Sequence, residues 1–508
     1  MKNICTIFLL ILVSGLSSCH KFLAEQSQDQ LTPTTTTDFL QLLYGQAYPG
    51  FDQGSAMQRG LLFMDDDFQM NNLYKGSLTN TADNIRSADI YLPMYAWQPD
   101  AYDQIASSGL AGNKTNYNTW ARYYTLIMGA NIALDNADIS TGSDDDKNYL
   151  KGQAYGLRAY YYFMLVNFYG APYNAAGKDP ASEPGVPLIL TAKIEKADLY
   201  NKRNTVKEVY DQVISDMNNS ILYLEKNKRF NAYRMNYLAV HLLASRVYLY
   251  MENWSKVIEQ ANIVLAAKAG LMNLSSPIAQ STSATNLILG AGNVETLWTY
   301  GTYTDYATAL GNSQIYRLSN DLLRCYTSND LRIKNTFIGT NSAVTLAGYG
   351  YTQICNKQYR NDGATMKAFR VAEAYLNRAE AYLHLAANGD ADSYSKGLAD
   401  LNTLRGTRYT NPPQWTTTTM PAVTSALDSC KLERRKELFL EDHRWFDLRR
   451  YGMPAITHVY YRSSTDSVKY TLSAGDKQYI WAIPQEVLDR NYLLTQNEVG
   501  GLRVYSTY

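Results

Sequence analysis

The most constraining feature of this chain is a run of apolar residues at three- and four-residue steps. Between 119 and 137, Trp120, Tyr124, Ile127, Ala130 and Leu134 fall on one face of a helix. The same periodicity predicts helices over about 146–169, 205–224, 234–251, 254–268, 368–386, 393–406 and 430–449. Gly170-Ala171-Pro172 stops the second of these. Thr205, with Glu208 three residues on, reads as a capping box for the third.

Three of these helices share a short pattern: Arg158-Ala159-Tyr160-Tyr161, Arg246-Val247-Tyr248-Leu249 and Glu380-Ala381-Tyr382-Leu383. Each is a charged residue, a small one, a tyrosine and a bulky one. Small side chains let a partner helix approach and tyrosines fill the next layer, which is the logic of tetratricopeptide (TPR) helix pairs. The copies lie 88 and 134 residues apart, so they do not form a tandem 34-residue array. The expected fold is mainly α, with helix pairs separated by long insertions. Residues 50–118 and 270–365 are rich in Gly, Asn, Ser, Thr and Tyr. Loops held on a rigid scaffold are where binding usually sits.

The N-terminus sets the compartment. Lys2 precedes an apolar run from Ile7 to Val13, too short to span a bilayer, followed by Leu16-Ser17-Ser18-Cys19. That tetrapeptide resembles a bacterial lipobox, which implies a signal peptide over 1–18 and a lipidated Cys19. Residues 19–37, ending in Pro33-Thr34-Thr35-Thr36-Thr37, then read as a tether before a single domain over 38–508. Of the other cysteines, Cys325, Cys355 and Cys430 remain in the mature chain and allow at most one disulfide. The 47 basic and 47 acidic side chains cancel, which argues against a nucleic-acid partner. Tyrosine is in excess, 43 against 13 Phe, and its apolar body with a polar tip suits half-wet surfaces.

Catalytic signatures are missing: there is no HExxH, GxSxG or P-loop. Glu437 and Glu441 lie one helical turn apart, and a carboxylate pair could serve glycoside hydrolysis. They sit among Arg434, Arg435, Arg444, Arg449 and Arg450, which favours ionised, paired carboxylates over a general acid. No cofactor is expected. Asp65-Asp66-Asp67 and Asn388, Asp390, Asp392 could hold structural calcium, although neither matches an EF-hand loop. The positive candidate is an aromatic platform for the apolar face of a sugar ring. Tyr95 and Trp97 lie in the first insertion, with Asp67 and Arg86 as polar partners; Trp298 and Tyr300 lie in the second, close to Tyr303 and Tyr306. A core role is the competing reading for both tryptophans, more so for Trp298, because 294–298 alternates like a strand. Trp120, Trp254 and Trp445 read as core.

The run from Glu433 to Arg450 resembles the signature helix of the SusD/RagB family, as does Ala374 to Tyr382 before it. Ile483-Pro484-Gln485-Glu486, then Asn491 and Gln496-Asn497, resembles the family's closing segment, with Tyr492 where proline is usual. Trp120 to Asn131 and Tyr169-Gly170-Ala171-Pro172 also match. The resemblance implies about four TPR-like helix pairs in a right-handed superhelical scaffold. It implies a non-catalytic outer-membrane lipoprotein that binds oligosaccharide, or in some relatives peptide, and delivers it to a SusC-like TonB-dependent transporter. It singles out Trp97, since a family tryptophan before the Trp120-type helix lies near the ligand. A surface glycoside hydrolase and a TPR adaptor are the other readings.

Overall fold

The computed structural model describes residues 32–49, 60–70, 82–108, 118–193, 200–280, 288–301, 316–334, 337–341, 352–355, 357, 367–462 and 466–507. The signal peptide, Cys19, most of the tether, Tyr303 and Tyr306 lie outside these residues, as does the side chain of Arg86. Among the described residues, no helix is long and apolar enough to cross a membrane, and Cys325 and Cys430 are free thiols.

The N-terminal helices are α1 (Thr36–Gln46), α2 (Ala82–Tyr95), α3 (Ala101–Ser107), α4 (Thr119–Ala137) and α5 (Asp144–Tyr169). Next come α6 (Val206–Leu224), α7 (Tyr237–Tyr250), α8 (Trp254–Ala267), α9 (Pro277–Gln280) and α10 (Asn320–Arg324). The C-terminal set is α11 (Val371–Ala387), α12 (Ala391–Arg408), α13 (Val423–Leu438), α14 (Arg444–Arg450) and α15 (Gln485–Arg490). Packing follows chain order: α4 lies on α5, α5 on α6, α7 on α8, and α11 on α8, α12 and α13. This is the expected scaffold of paired helices with minor β structure. The Thr205 capping box is present, and α5 ends at Gly170. Gly129 on α4 lets the end of α1 approach, since a Cβ there would stand 2.7 Å from the Gln46 carbonyl group.

The charged position of the repeated pattern has a structural meaning that the sequence did not show. Arg158 of α5 forms a two-pronged pair with Asp216 of α6 at 2.8 Å. Arg246 of α7 does the same with Glu373 of α11 at 2.6 Å. Glu380 of α11 accepts both prongs of Arg450 in α14 at 2.5 and 2.9 Å. All three pattern residues are buried. Each ties its helix to another, and two-pronged geometry fixes orientation as well as distance.

Three expectations change. The tether is shorter than 19–37, because Thr35 caps α1 and the chain is already pinned to the α4–α5 turn: Thr36 N–H donates to Thr141 O, and Thr141 N–H to Thr34 O. The 50–118 insertion holds α2 and α3, so it is more helical than its composition suggests. The helix read over 430–449 is broken between α13 and α14, where Leu440 and Asp442 both have φ 62°. The cause is tertiary. Lys357 Nζ and Arg370 take the Glu437 carbonyl, and Lys357 also takes that of Phe439. These cations satisfy carbonyls that continuing helix would otherwise have bonded.

The β structure is a set of ribbons. β1 (Phe68–Met70) pairs antiparallel with β3 (Tyr316–Leu318), so the two insertions meet. β2 (Thr296–Tyr300) pairs with β6 (Lys367–Arg370), and β4 (Ile338–Asn341) with β5 (Thr352–Cys355). β7 (Ile456–Tyr461), β8 (Ser467–Leu472) and β9 (Ser506–Thr507) form a three-stranded sheet.

A buried ionic hub joins the second insertion to the C-terminal helices. Arg332, Arg370, Arg408, Lys357 and Lys436 face Asp330, Glu295, Glu433, Glu437 and Glu441. No side chain among these ten is more than 5% exposed. Five positive charges thus balance five negative ones, the condition under which buried charge is tolerated.

Candidate functional site

The meeting of the two insertions creates a polar cleft. Asp66 and Asp67 are anchored from behind: Arg444 donates to Asp66 at 2.6 and 2.7 Å, and Arg435 to Asp67 at 2.7 Å. From this anchor the chain enters β1. Ser319 binds back through its hydroxyl to Asp66 O and through its N–H to Asp67 O. Gln69 Oε1 accepts the Asn320 N–H, which sets the start of α10 against β1. β7 closes the other side. The enclosed cleft has a volume of about 300 Å³ and is lined by Asp66, Phe68, Gln69, Met70, Tyr95, residues 319–321, residues 455–459 and Tyr461.

Its lining combines polar groups with a partly exposed aromatic ring. Asn320 and Asp321 are exposed at the rim, with Gln69 and Tyr461 half-buried beside them. Planar amides and a carboxylate match hydroxyl donors and acceptors, and the Tyr461 ring supplies an apolar wall. Beneath lies a stack of three rings: His458 sits between Tyr95 and Trp97, 4.2 Å from each. The His458 nitrogens face Tyr95 O at 2.8 Å and Asp65 O at 3.0 Å. Burial pushes its pKa down to about 4, against the pull of those carbonyls, so the ring is neutral at pH 7.

The residues expected to bind ligand fall in different places. Trp97 has no exposed surface, a left-handed φ of 50° just beyond α2, and an indole N–H donated to Met64 O at 2.9 Å. It is a core tryptophan, satisfied within the protein. Tyr95 lies under the cleft floor, also without exposed surface; its hydroxyl accepts the Met70 N–H and donates to Val459 O. Asp67 is likewise buried and held by Arg435. Trp298 and Tyr300 belong to a separate aromatic cluster with Tyr160 and Phe369. β2 is buried at every position, because it is covered on both faces. None of these four aromatic residues is more than 6% exposed, and that burial favours the core reading. The structure groups Tyr95, Trp97 and Asp67 around the cleft and leaves Trp298 and Tyr300 apart. Trp120 and Trp445 are buried as expected, and Trp254 is half-buried against His384.

Sequence reasoning missed Tyr461, Gln69 and Asn320. The period-two pattern of Ile456 to Tyr461 was the available signal: Ile456, His458 and Tyr460 point in, while Thr457, Val459 and Tyr461 point out. The acidic clusters have protein partners. Asp66 and Asp67 take the two guanidiniums, and Asp390 accepts the Ser393 hydroxyl at the start of α12.

Comparison with known families decides the assignment. Residues 21–249 match a SusD-like family described as starch-binding and associating with the outer membrane, and residues 296–500 match the SusD family itself. The chain belongs to the SusD/RagB family. Two curated SusD-like proteins of Formosa agariphila are similar: P38 is 27% identical over 52% of this chain, and P2 is 29% identical over 30%. The matches span 45% and 27% of those relatives, less than half of either. Among solved structures, a SusD superfamily protein from Bacteroides thetaiotaomicron has a TM-score of 0.67 at 22% identity, covering 91% of this chain and all of that one. A SusD-like carbohydrate binding protein from Bacteroides vulgatus has a TM-score of 0.65 at 22% identity, covering 91% of this chain and 97% of that one. These likenesses establish a shared fold.

Membership agrees with the electrostatics of the signature segment. Glu437 is wholly buried and accepts from Arg408, Arg370 and Arg332. Burial pushes its pKa up, but the three guanidiniums outweigh burial and hold it well below the usual carboxylate range. Glu441 is lowered in the same way by Arg370 and Lys357. A general acid must hold its proton near neutral pH, and these carboxylates are held ionised. In this SusD-family chain the signature segment is scaffold.

Proposed function

We propose that this protein binds oligosaccharide at the cell surface, without chemical change, in the cleft between β1, α10 and β7. A lipid on Cys19 anchors it to the outer membrane, and it hands the ligand to a SusC-like TonB-dependent transporter. The observation that carries the binding reading is the half-buried Tyr461 ring beside the amides of Gln69 and Asn320 and the carboxylate of Asp321. A starch-binding family description and a carbohydrate-binding structural neighbour support the same ligand class. Handover favours modest affinity, on the order of −4 to −8 kcal/mol.

The test is calorimetry of the soluble chain starting after Cys19, titrated with starch-derived and other oligosaccharides and with peptide mixtures. Saturable glycan binding that weakens about tenfold in Tyr461→Ala, the loss of one stacking wall, supports the proposal. Binding of peptides alone, or glycan binding indifferent to Tyr461→Ala and Gln69→Ala, overturns it. The transporter step is tested separately, by co-purification of the lipidated protein from membranes.

A further inference from the structure

A second recess lies where the α2–α3 turn meets the C-terminal segment 478–484, and it shares no lining residue with the cleft above. Met64, Met94, Tyr102 and Trp481 give it an apolar wall. Two polar groups in that wall are left without a protein partner among the described residues. Gln478 is 3% exposed and Trp481 8% exposed, yet Gln478 Oε1 and Trp481 Nε1 find no hydrogen-bond partner among the described residues. The indole N–H of nearby Trp97 is donated to a carbonyl, whereas those of Trp298 and Trp445, in the core, are also without a partner among the described residues; the Gln478 amide oxygen is the one such group on this wall that can accept. A buried polar group left unpaired costs about 1–3 kcal/mol, and native structures rarely keep one without a reason.

The mouth of the recess is acidic. Asp100 and Asp103 line it, and Glu486 and Asp489 stand close enough to act on Asp103. Burial raises the Asp103 pKa; the Gln485 N–H lowers it, and the charges of Asp100, Glu486 and Asp489 raise it again. Among the described residues none of these four carboxylates forms a salt bridge, whereas every carboxylate of the ionic hub does. Glu486 is held by neutral donors, the Tyr102 hydroxyl and the Asn118 amide. Among the described residues, then, no cation stands within ion-pair distance of these four carboxylates. The recess is small, about 30 Å³ against about 300 Å³ for the cleft. A water needs about 10–15 Å³ on such a measure, so the recess admits a small head group.

We propose that this recess binds a protonated amine with a neighbouring hydroxyl, the head group of an amino sugar or of a small amino alcohol. The ammonium donates to Gln478 Oε1 and is balanced by Asp100 and Asp103. The hydroxyl accepts from Trp481 Nε1–H. The carbons between them face Met64, Met94 and Tyr102. The site is separate from the cleft, so it stands or falls independently of glycan binding there.

The experiment is calorimetry of the soluble chain with glucosamine and ethanolamine, against glucose and ethylene glycol as neutral counterparts. Variants Asp103→Asn and Trp481→Phe are run beside the parent, each with a thermal melt to confirm folding. The amines are expected to bind saturably and the neutral compounds about tenfold more weakly or not at all, as for loss of one charge-assisted hydrogen bond. Each variant is expected to lose about tenfold for the amines. Glucosamine binding without ethanolamine assigns the ligand to a sugar; binding of both assigns it to the head group alone, and either supports the site. Equal binding of glucose and glucosamine, amine binding unchanged in Asp103→Asn, or no binding of either amine overturns it. If Trp481→Phe does not fold, Asp103→Asn at the half-buried rim carries the test. Tyr461→Ala is expected to leave amine binding unchanged, which separates this result from failure at the cleft.

Discussion

Replacing Glu437 with glutamine removes one charge from the buried hub while keeping the side chain's shape. In the native protein Glu437 takes four hydrogen bonds: from Arg370 at 2.9 Å, from Arg408 at 3.0 and 2.9 Å, and from Arg332 at 3.3 Å. Glutamine keeps one acceptor oxygen and turns an NH₂ group toward guanidiniums that can only donate. The hub then holds five cations against four anions, all of them buried. Removing one partner of a buried ion pair typically costs about 3–5 kcal/mol, chiefly through the charge left uncompensated. Against a total stability of about 5–15 kcal/mol, that is a large fraction. Urea unfolding of the soluble chain, followed by circular dichroism, should show a markedly lower midpoint. Pairing Glu437→Gln with Arg408→Gln restores neutrality, so the double variant should be more stable than the two single losses predict. A Glu437→Gln loss below about 1 kcal/mol, or strictly additive losses, refutes the charge-balance argument. Oligosaccharide affinity should be unchanged in folded Glu437→Gln, because Glu437 does not line the cleft.

Acidification should destabilise the fold in two stages. The His458 pKa lies at about 4 in the folded protein against an ordinary 6.5, so the unfolded chain binds more protons between those values. Stability therefore falls as pH drops from 6.5 to about 4, by about 3 kcal/mol from this residue. His458→Gln should flatten part of that slope in thermal melts; His443 and His384, also lowered by burial, contribute in the same direction. A second loss follows from 4.5 down to about 2, where Glu380 and Glu433 are protonated in the unfolded chain first. Trp97→Ala should cost about 3–5 kcal/mol in urea unfolding, as for a large core aromatic, rather than act as a clean binding variant. Gly129→Val should destabilise by about 1–3 kcal/mol, since its Cβ meets the Gln46 backbone, which cannot swing aside as a side chain would.

Much of the architecture was legible in the sequence because it is local. Apolar periodicity marked the long helices, Thr205 and Glu208 marked a helix start, and Gly170 marked a stop, all through contacts within a turn or two of chain. The arginines around Glu437 already indicated ionised carboxylates. The break between α13 and α14 was not legible, because the groups that capture the Glu437 and Phe439 carbonyls, Lys357 and Arg370, are about 70–80 residues distant. The repeated charged position was visible, but its partners Asp216, Glu373 and Arg450 were not, since a pairing across helices leaves no periodic trace.

The site divides along the same line. Sequence placed candidate aromatics in two loop-rich insertions, at Tyr95 and Trp97 in the first and at Trp298 and Tyr300 in the second. Only tertiary structure decided which aromatics of the chain are buried and which stay partly exposed. Trp97, Tyr95, Trp298 and Tyr300 were claimed by the core, because a large ring gains most from leaving water; Trp97, Tyr95 and Tyr300 also find a partner for the polar tip there. Tyr461, on a β7 position whose side chain points outward, stayed at the surface, brought beside Gln69 and Asn320 by strands that lie hundreds of residues apart in the chain.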